Sequence, residues 1–103
     1  MRRLRVLMHG EPAGLLEELE PGEHYRFVYD SAYEGPPVSL TMPVREEPYT
    51  FDRFPPFFDS LLPEGTLLTA LLQQYKLDAS DCMGQLAVAG KDPVGAVSIE
   101  DLE

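Results

Sequence analysis

The sequence predicts an α+β domain: a small antiparallel β-sheet or partly closed barrel carrying two or three short helices. Three observations predict it. The first third of the chain alternates apolar and polar residues with the period of half-buried strands. Residues 66–75 switch to helical spacing, with Leu67, Leu68, Leu71, Leu72 and Tyr75 on one face. A final branched run through Ile99 returns to strand character, and strands placed early with helices late favour an antiparallel sheet.

In order, Leu4, Val6 and Met8 alternate with Arg3, Arg5 and Leu7 as a first strand, and His9-Gly10-Glu11-Pro12 reads as a turn. A short strand over Ala13–Glu17 closes a hairpin, ended by Glu20-Pro21-Gly22. In HYRFVYD, Tyr25, Phe27 and Tyr29 share one face, giving the strongest strand signal in the chain. Residues 31–37 form a loop, Val38–Met42 alternates again as a strand, and Arg45–Pro56, with three prolines, is an irregular connection. Pro63 suits the first turn of the helix over 66–75. A second helix starts at Ser80 as N-cap, with Asp81 near the positive end of its dipole, and stops at Gly90; Gly84 weakens it by about 1 kcal/mol relative to Ala. Val94–Ile99 closes the sheet.

With 103 residues, 44% of them hydrophobic, the chain is long enough for one domain with its own core and too apolar for disorder. It holds no apolar run of the roughly 20 residues that span a bilayer and no signal core, so neither a membrane nor an export route is expected and the cytoplasm is the simplest address. The lone Cys82 excludes an internal disulfide and fits a reducing compartment. The formal net charge is −10, and Arg2, Arg3 and Arg5 supply three of the eight basic residues. Direct nucleic-acid binding is therefore disfavoured, and a basic protein partner is favoured.

Candidate chemistry is sparse. His9 and His24 lack partners at metal-ligand spacing, and the eight glycines are dispersed without a phosphate-binding pattern, so no metal, cofactor or catalytic residue is expected. Cys82 falls at a helix N-terminus, where a thiolate is favoured, although a packed residue is the plainer reading. Adjacent acids such as Glu17-Glu18 read as a solvated face. The stretch FFDSLLPEG is the most informative: an apolar run ends in a rigid turn at a helix start, where Glu64 and Gly65 are presented outward. Leu61 and Leu62 fit either a core pair or a binding surface.

Ser39-Leu40-Thr41-Met42-Pro43, then Phe58 to Gly65, then Gly90 to Val97 resemble, in order, three signature stretches of the N-terminal domain of HipA-type serine/threonine kinases. The resemblance covers essentially the whole chain as one domain, residues 1–103. It implies no catalytic core, since the kinase residues of that family follow this domain. It is similar in this to the small stand-alone component of three-component HipBST toxin–antitoxin systems. There, the resemblance implies, the small protein acts as a non-enzymatic antitoxin against a HipT-like kinase, in a ternary complex with a HipB-like helix-turn-helix protein that binds the DNA. The alternatives are a scaffold subunit that completes the kinase without neutralising it, and an acidic mimic of nucleic acid. The expected partner-binding residues are Phe57, Phe58, Leu62, Pro63, Glu64, Gly65 and Thr66. By the resemblance, many family members carry a tryptophan directly after Pro-Glu-Gly; this chain has Thr66 and no tryptophan, so either Phe57 or Phe58 compensates or inhibition works by restraining kinase motion.

Overall fold

The computed structural model describes residues 2–91 and 95–102. Five strands form one antiparallel sheet: β1 (Arg2–Met8), β2 (Glu11–Glu20), β3 (His24–Tyr29), β4 (Tyr49–Phe51) and β5 (Val97–Asp101), in the order β4-β3-β2-β1-β5. The sheet is open, so the barrel alternative falls away. Three helices accompany it: α1 (Pro56–Asp59), α2 (Gly65–Tyr75) and α3 (Cys82–Ala89).

The first hairpin turns on His9 and Gly10, both at positive φ (51° and 81°), the two-residue geometry that matches the twist of paired strands. Its second strand is longer than the alternation predicts. Val6 pairs with Gly14 and Leu7 with Pro12, so Ala13 is an extra residue on β2, a bulge that turns its side chain fully into the core. Gly14 is required by close approach: a Cβ there would lie 2.4 Å from the Val28 carbonyl oxygen and 2.9 Å from Phe27 Cζ.

One sheet face carries Leu4, Val6, Leu16, Tyr25, Phe27, Tyr29 and Ile99, which with Phe58, Met83 and Leu86 from the helices make the core. Phe58 packs on Phe27 with ring centroids 5.5 Å apart. The opposite sheet face carries an ion-pair ladder, in which Arg26 Nε donates to Glu17 at 2.8 Å and Arg5 faces Glu100 at 3.6 Å.

Several expectations are corrected. Val38–Met42 is not a strand of the sheet; its only ladder contact is the Ser39–Met42 bridge of a tight turn. Its alternation does not report a buried face: Val38 and Met42 are buried, but Leu40, between them at the tip, is 94% exposed. Tyr29 supplies the hook: its hydroxyl donates to the Met42 carbonyl at 2.5 Å and accepts from the Val38 amide at 3.0 Å. The fourth strand lies instead at Tyr49–Phe51, inside the stretch read as irregular. Ser80 is not the N-cap of α3. Asp81 is, its carboxylate accepting from the Gly84 amide at 3.1 Å, and a Cβ on Gly84 would sit 2.4 Å from that carboxylate. The glycine that weakens the helix by propensity thus makes room for its cap. The acidic pair is not solvated either: Glu17 and Glu18 are 7% and 4% exposed, each neutralised by an arginine on its own sheet face. β5 begins at Val97; residues 92–94 lie outside the described ones.

The edges of the sheet are blunted. β4 has only three residues, and on the other edge the Ile99 amide donates to the Gly90 carbonyl at 2.9 Å. Gly90 fits there because it has no side chain; a Cβ would meet Ile99 at 2.4 Å.

Candidate functional site: an apolar groove at the α1–α2 corner

The residues after α1 do not enter α2 directly. Leu61 and Leu62 donate to Phe58 and Asp59 carbonyls (3.1 Å each), continuing the turn of α1 before Pro63 redirects the chain. α2 then begins at Gly65, whose φ of +60° lies in the left-handed region that glycine enters without steric cost. Pro63 therefore precedes the helix and is not in its first turn, and Glu64 is the N-cap residue without a side-chain capping bond.

This geometry holds α2 away from the sheet. None of its residues is buried; Leu68, Leu71 and Leu72 are half-buried, and Leu67 is 71% exposed. Between α2 and the body of the domain runs a groove of about 830 Å³. Phe57, Ser60, Leu61, Leu62 and Pro63 form its floor, Leu67 and Leu71 one wall, and Ala89, Gly90 and Gly95–Val97 the other, with Met8 and Val38 at the back.

Of the residues expected to bind a partner, the structure places Phe57, Leu62 and Pro63 in this groove. Glu64, Gly65 and Thr66 are exposed at the start of α2, just beyond its floor. Phe58 is 0% exposed and has no surface to offer; it anchors the corner from beneath. Phe57 is half-buried, with its ring edge-on to Phe58 at 5.1 Å. Phe58 thus has no exposed ring to stand in for an aromatic at position 66, whereas Phe57 lines the groove. Leu61 and Leu62 resolve between the two readings: half-buried against the core, each also lines the groove.

The remaining lining residues escaped the sequence reading. Leu67 and Leu71 were visible as an apolar helical face, but spacing does not say whether the domain covers that face. Two of the three quoted signature stretches meet here: Ser60–Pro63 of the 58–65 stretch line the floor and Gly90 and 95–97 one wall, whereas no residue of the 39–43 stretch lines the groove and only its neighbour Val38 does.

The other polar clusters offer little chemistry. Arg2 binds Glu18 (2.8 Å) and Asp81 (2.7 Å), joining β1, β2 and α3. The hydrogen bond from Arg2 holds the Asp81 carboxyl below its ordinary pKa. Cys82 is pushed the other way: burial, then Asp59, Asp81 and Glu18, raise its thiol pKa, against the thiolate expected at a helix N-terminus. Glu20, Glu23 and His24 come together at the β2–β3 turn with ligand atoms within 4.8 Å of one another, a proximity that their spacing had not signalled. They are solvent-facing, and His24 also lies 3.8 Å from Asp52. Among the described residues no helix is long and apolar enough to cross a membrane.

Fold and groove together define a small α+β domain whose distinctive feature is an apolar groove beside α2. Comparison with known proteins gives that class its family. The HipA N-terminal domain family matches residues 4–100, and the chain belongs to that family. It is similar to an uncharacterized protein of Haemophilus influenzae, 37% identical over 101 residues that cover 98% of this chain and 93% of that protein. It is also similar to the putative kinase Y4dM of Sinorhizobium fredii, 32% identical, covering 97% of this chain but 27% of the kinase. Among solved structures, the N-terminal domain of HipA toxin superposes with a TM-score of 0.74 at 31% identity, covering 100% of this chain and 94% of that one. The likeness is thus to the N-terminal part of a kinase-related family, outside its catalytic part.

Proposed function

We propose that this domain is a non-catalytic, HipS-like antitoxin that docks on a HipA-like serine/threonine kinase (HipT) and neutralises it, in a complex with a HipB-like DNA-binding protein. The observation that carries the reading is the meeting of two of the three signature stretches, 58–65 and 90–97, at one apolar groove. The relatives fit: the same domain makes up about a quarter of a putative kinase, whereas nearly all of the Haemophilus protein is this domain. A domain that occurs both joined to a kinase and at its own size needs a surface that keeps the association when the covalent link is absent. The acidic balance of −10 favours encounter with a basic kinase face and raises the association rate more than the final affinity.

The test is toxicity rescue. The HipA-type kinase of the same genome is expressed in a sensitive host alone, with this protein, and with a Glu64→Ala, Thr66→Ala variant. Rescue by the wild type supports neutralisation, and full toxicity with both proteins stably present refutes it. One observation favours a second reading, a scaffold that completes the kinase while another subunit neutralises it. Position 66 is an exposed threonine and not an aromatic, and Phe58, 0% exposed, has no surface to offer in its place. The scaffold reading predicts a stable complex without rescue.

A further inference from the structure

The chemistry of the groove constrains what can lie in it. Among its described lining side chains Ser60 is the one polar group, and its hydroxyl already donates to the Phe57 carbonyl at 2.5 Å. Three nearby backbone groups are also taken: the Gly90 amide by Leu86 (2.8 Å), the Gly90 carbonyl by Ile99 (2.9 Å), and the Ala96 carbonyl by the His9 amide (2.8 Å). An extended segment entering here would bury its amides and carbonyls against leucine, proline and glycine surface, at a cost comparable to a lost hydrogen bond for each. A helix satisfies its backbone internally and brings only side chains.

Size and shape agree. A helix about 10 Å across rises about 5.4 Å per turn, so roughly two turns occupy the 830 Å³ of the groove. Two turns present about three anchors, at i, i+3 or i+4, and i+7. Leu67 and Leu71, four residues apart on α2, form the ridge against which such anchors interdigitate. The charges around it are asymmetric: exposed Asp59 and Glu64 flank Ser60 and Pro63 at the α1–α2 corner, and exposed Lys91 follows Gly90 on the opposite wall.

From these observations we infer that the groove receives a two-turn amphipathic helix of the kinase, with a lysine or arginine where it meets the α1–α2 corner. The inference rests on the kinase-docking reading and adds the secondary structure, register and charge of the element bound.

The experiment measures binding to the HipA-type kinase of the same genome by calorimetry, for the wild type, Leu67→Glu, and Leu40→Glu as a control outside the groove. Both leucines are largely exposed, 71% and 94%, so both variants are expected to fold, which their unfolding midpoints check. Leu67→Glu is expected to weaken binding about tenfold or more, as for an anchor in an interface centre, and Leu40→Glu to leave it unchanged. A photo-crosslinker at position 67 then locates the contacted kinase segment, and an alanine scan of that segment is expected to show losses three and four residues apart. Losses at every second residue, or equal binding by Leu67→Glu and wild type, overturn the helix inference while leaving docking intact. Absence of a complex with the wild type overturns the docking reading, and this inference with it.

Discussion

Replacing Tyr29 by phenylalanine tests whether one hydroxyl holds the 38–42 turn against the sheet. The ring itself loses nothing: its edge contact with Phe27 (4.9 Å) and its stacking on Tyr33 (5.9 Å) are both retained by phenylalanine. What disappears is one donor and one acceptor, each with a buried partner, since Val38 and Met42 are 6% and 3% exposed. Burial raises the Tyr29 pKa, so the hydroxyl stays neutral and remains a donor through the physiological range. Each lost bond is worth about 0.5–1.5 kcal/mol net, and the stranded Val38 amide and Met42 carbonyl add part of their desolvation cost, so the total is about 2–4 kcal/mol. For a domain of this size that lowers Tm by roughly 10–25 °C. Urea unfolding should show a lower midpoint at unchanged slope, and hydrogen exchange should show the amides of Val38 and Met42 losing protection before those of β2 and β3. Because Val38 lines the groove, kinase docking should weaken in parallel. A loss below about 0.5 kcal/mol with the turn amides still protected would refute the argument, and the turn would then be held by packing of Val38 and Met42 alone.

Gly14→Ala should destabilise by about 1–3 kcal/mol, because its methyl would press on the Val28 carbonyl at 2.4 Å, a backbone atom locked in the β2–β3 ladder. Gly95→Ala, which meets nothing within 4 Å, is the neutral control in the same melting experiment. Asp81→Asn keeps an acceptor for the Gly84 amide but loses the charge facing Arg2, and with Arg2 44% exposed this costs only about 0.5–1 kcal/mol at pH 7. The sign of its pH dependence follows from the lowered pKa. The Asp81 contribution is complete above the ordinary value of 3.8 and is lost as pH falls through the lower folded value, so the wild type should lose stability below about pH 4 more steeply than the Asp81→Asn variant does; equal slopes would count against the pairing. Cys82, its thiol pKa raised, should react with iodoacetamide at about pH 7.5 more slowly than an unstructured thiol peptide, and equal rates would contradict the burial assigned to it.

What the sequence reveals about this fold depends on which physical quantity its periodicity reports. Alternation reports alternate burial. In β1 and β3 that burial comes from a sheet face and the strands follow. In 38–42 it does not: a tyrosine hydroxyl nine residues upstream of Val38 ties down Val38 and Met42, while Leu40 between them is 94% exposed. β4 shows the converse: three residues paired to Tyr25–Phe27 carry too little pattern of their own among neighbouring prolines. The Ala13 bulge depends on which residue of β1 stands opposite, a long-range fact absent from local sequence. At the candidate site the α1–α2 corner was legible from its Pro-Glu-Gly step. The opposite wall was not, since Ala89–Gly90 and 95–97 are small residues whose role appears only when β5 lies beside α3.

The economy of the domain's polar groups gives the exposed leucines their meaning. Among the described residues no buried side-chain polar atom lacks a hydrogen-bond partner, the buried glutamates are paired, and both sheet edges are shortened or blocked. Against that background α2 keeps Leu67 and Leu71 beside a groove the domain does not fill. Folding gains little from Leu67 at its present exposure, since burial energy scales with the apolar area removed from water. On the kinase-docking reading, stability and docking are therefore separable at this residue: a charge at position 67 is expected to cost the isolated domain little and a complex much. A core residue such as Phe58 shows the opposite balance. Phe58→Ala should cost about 3–5 kcal/mol of folding and weaken docking only through the corner it supports.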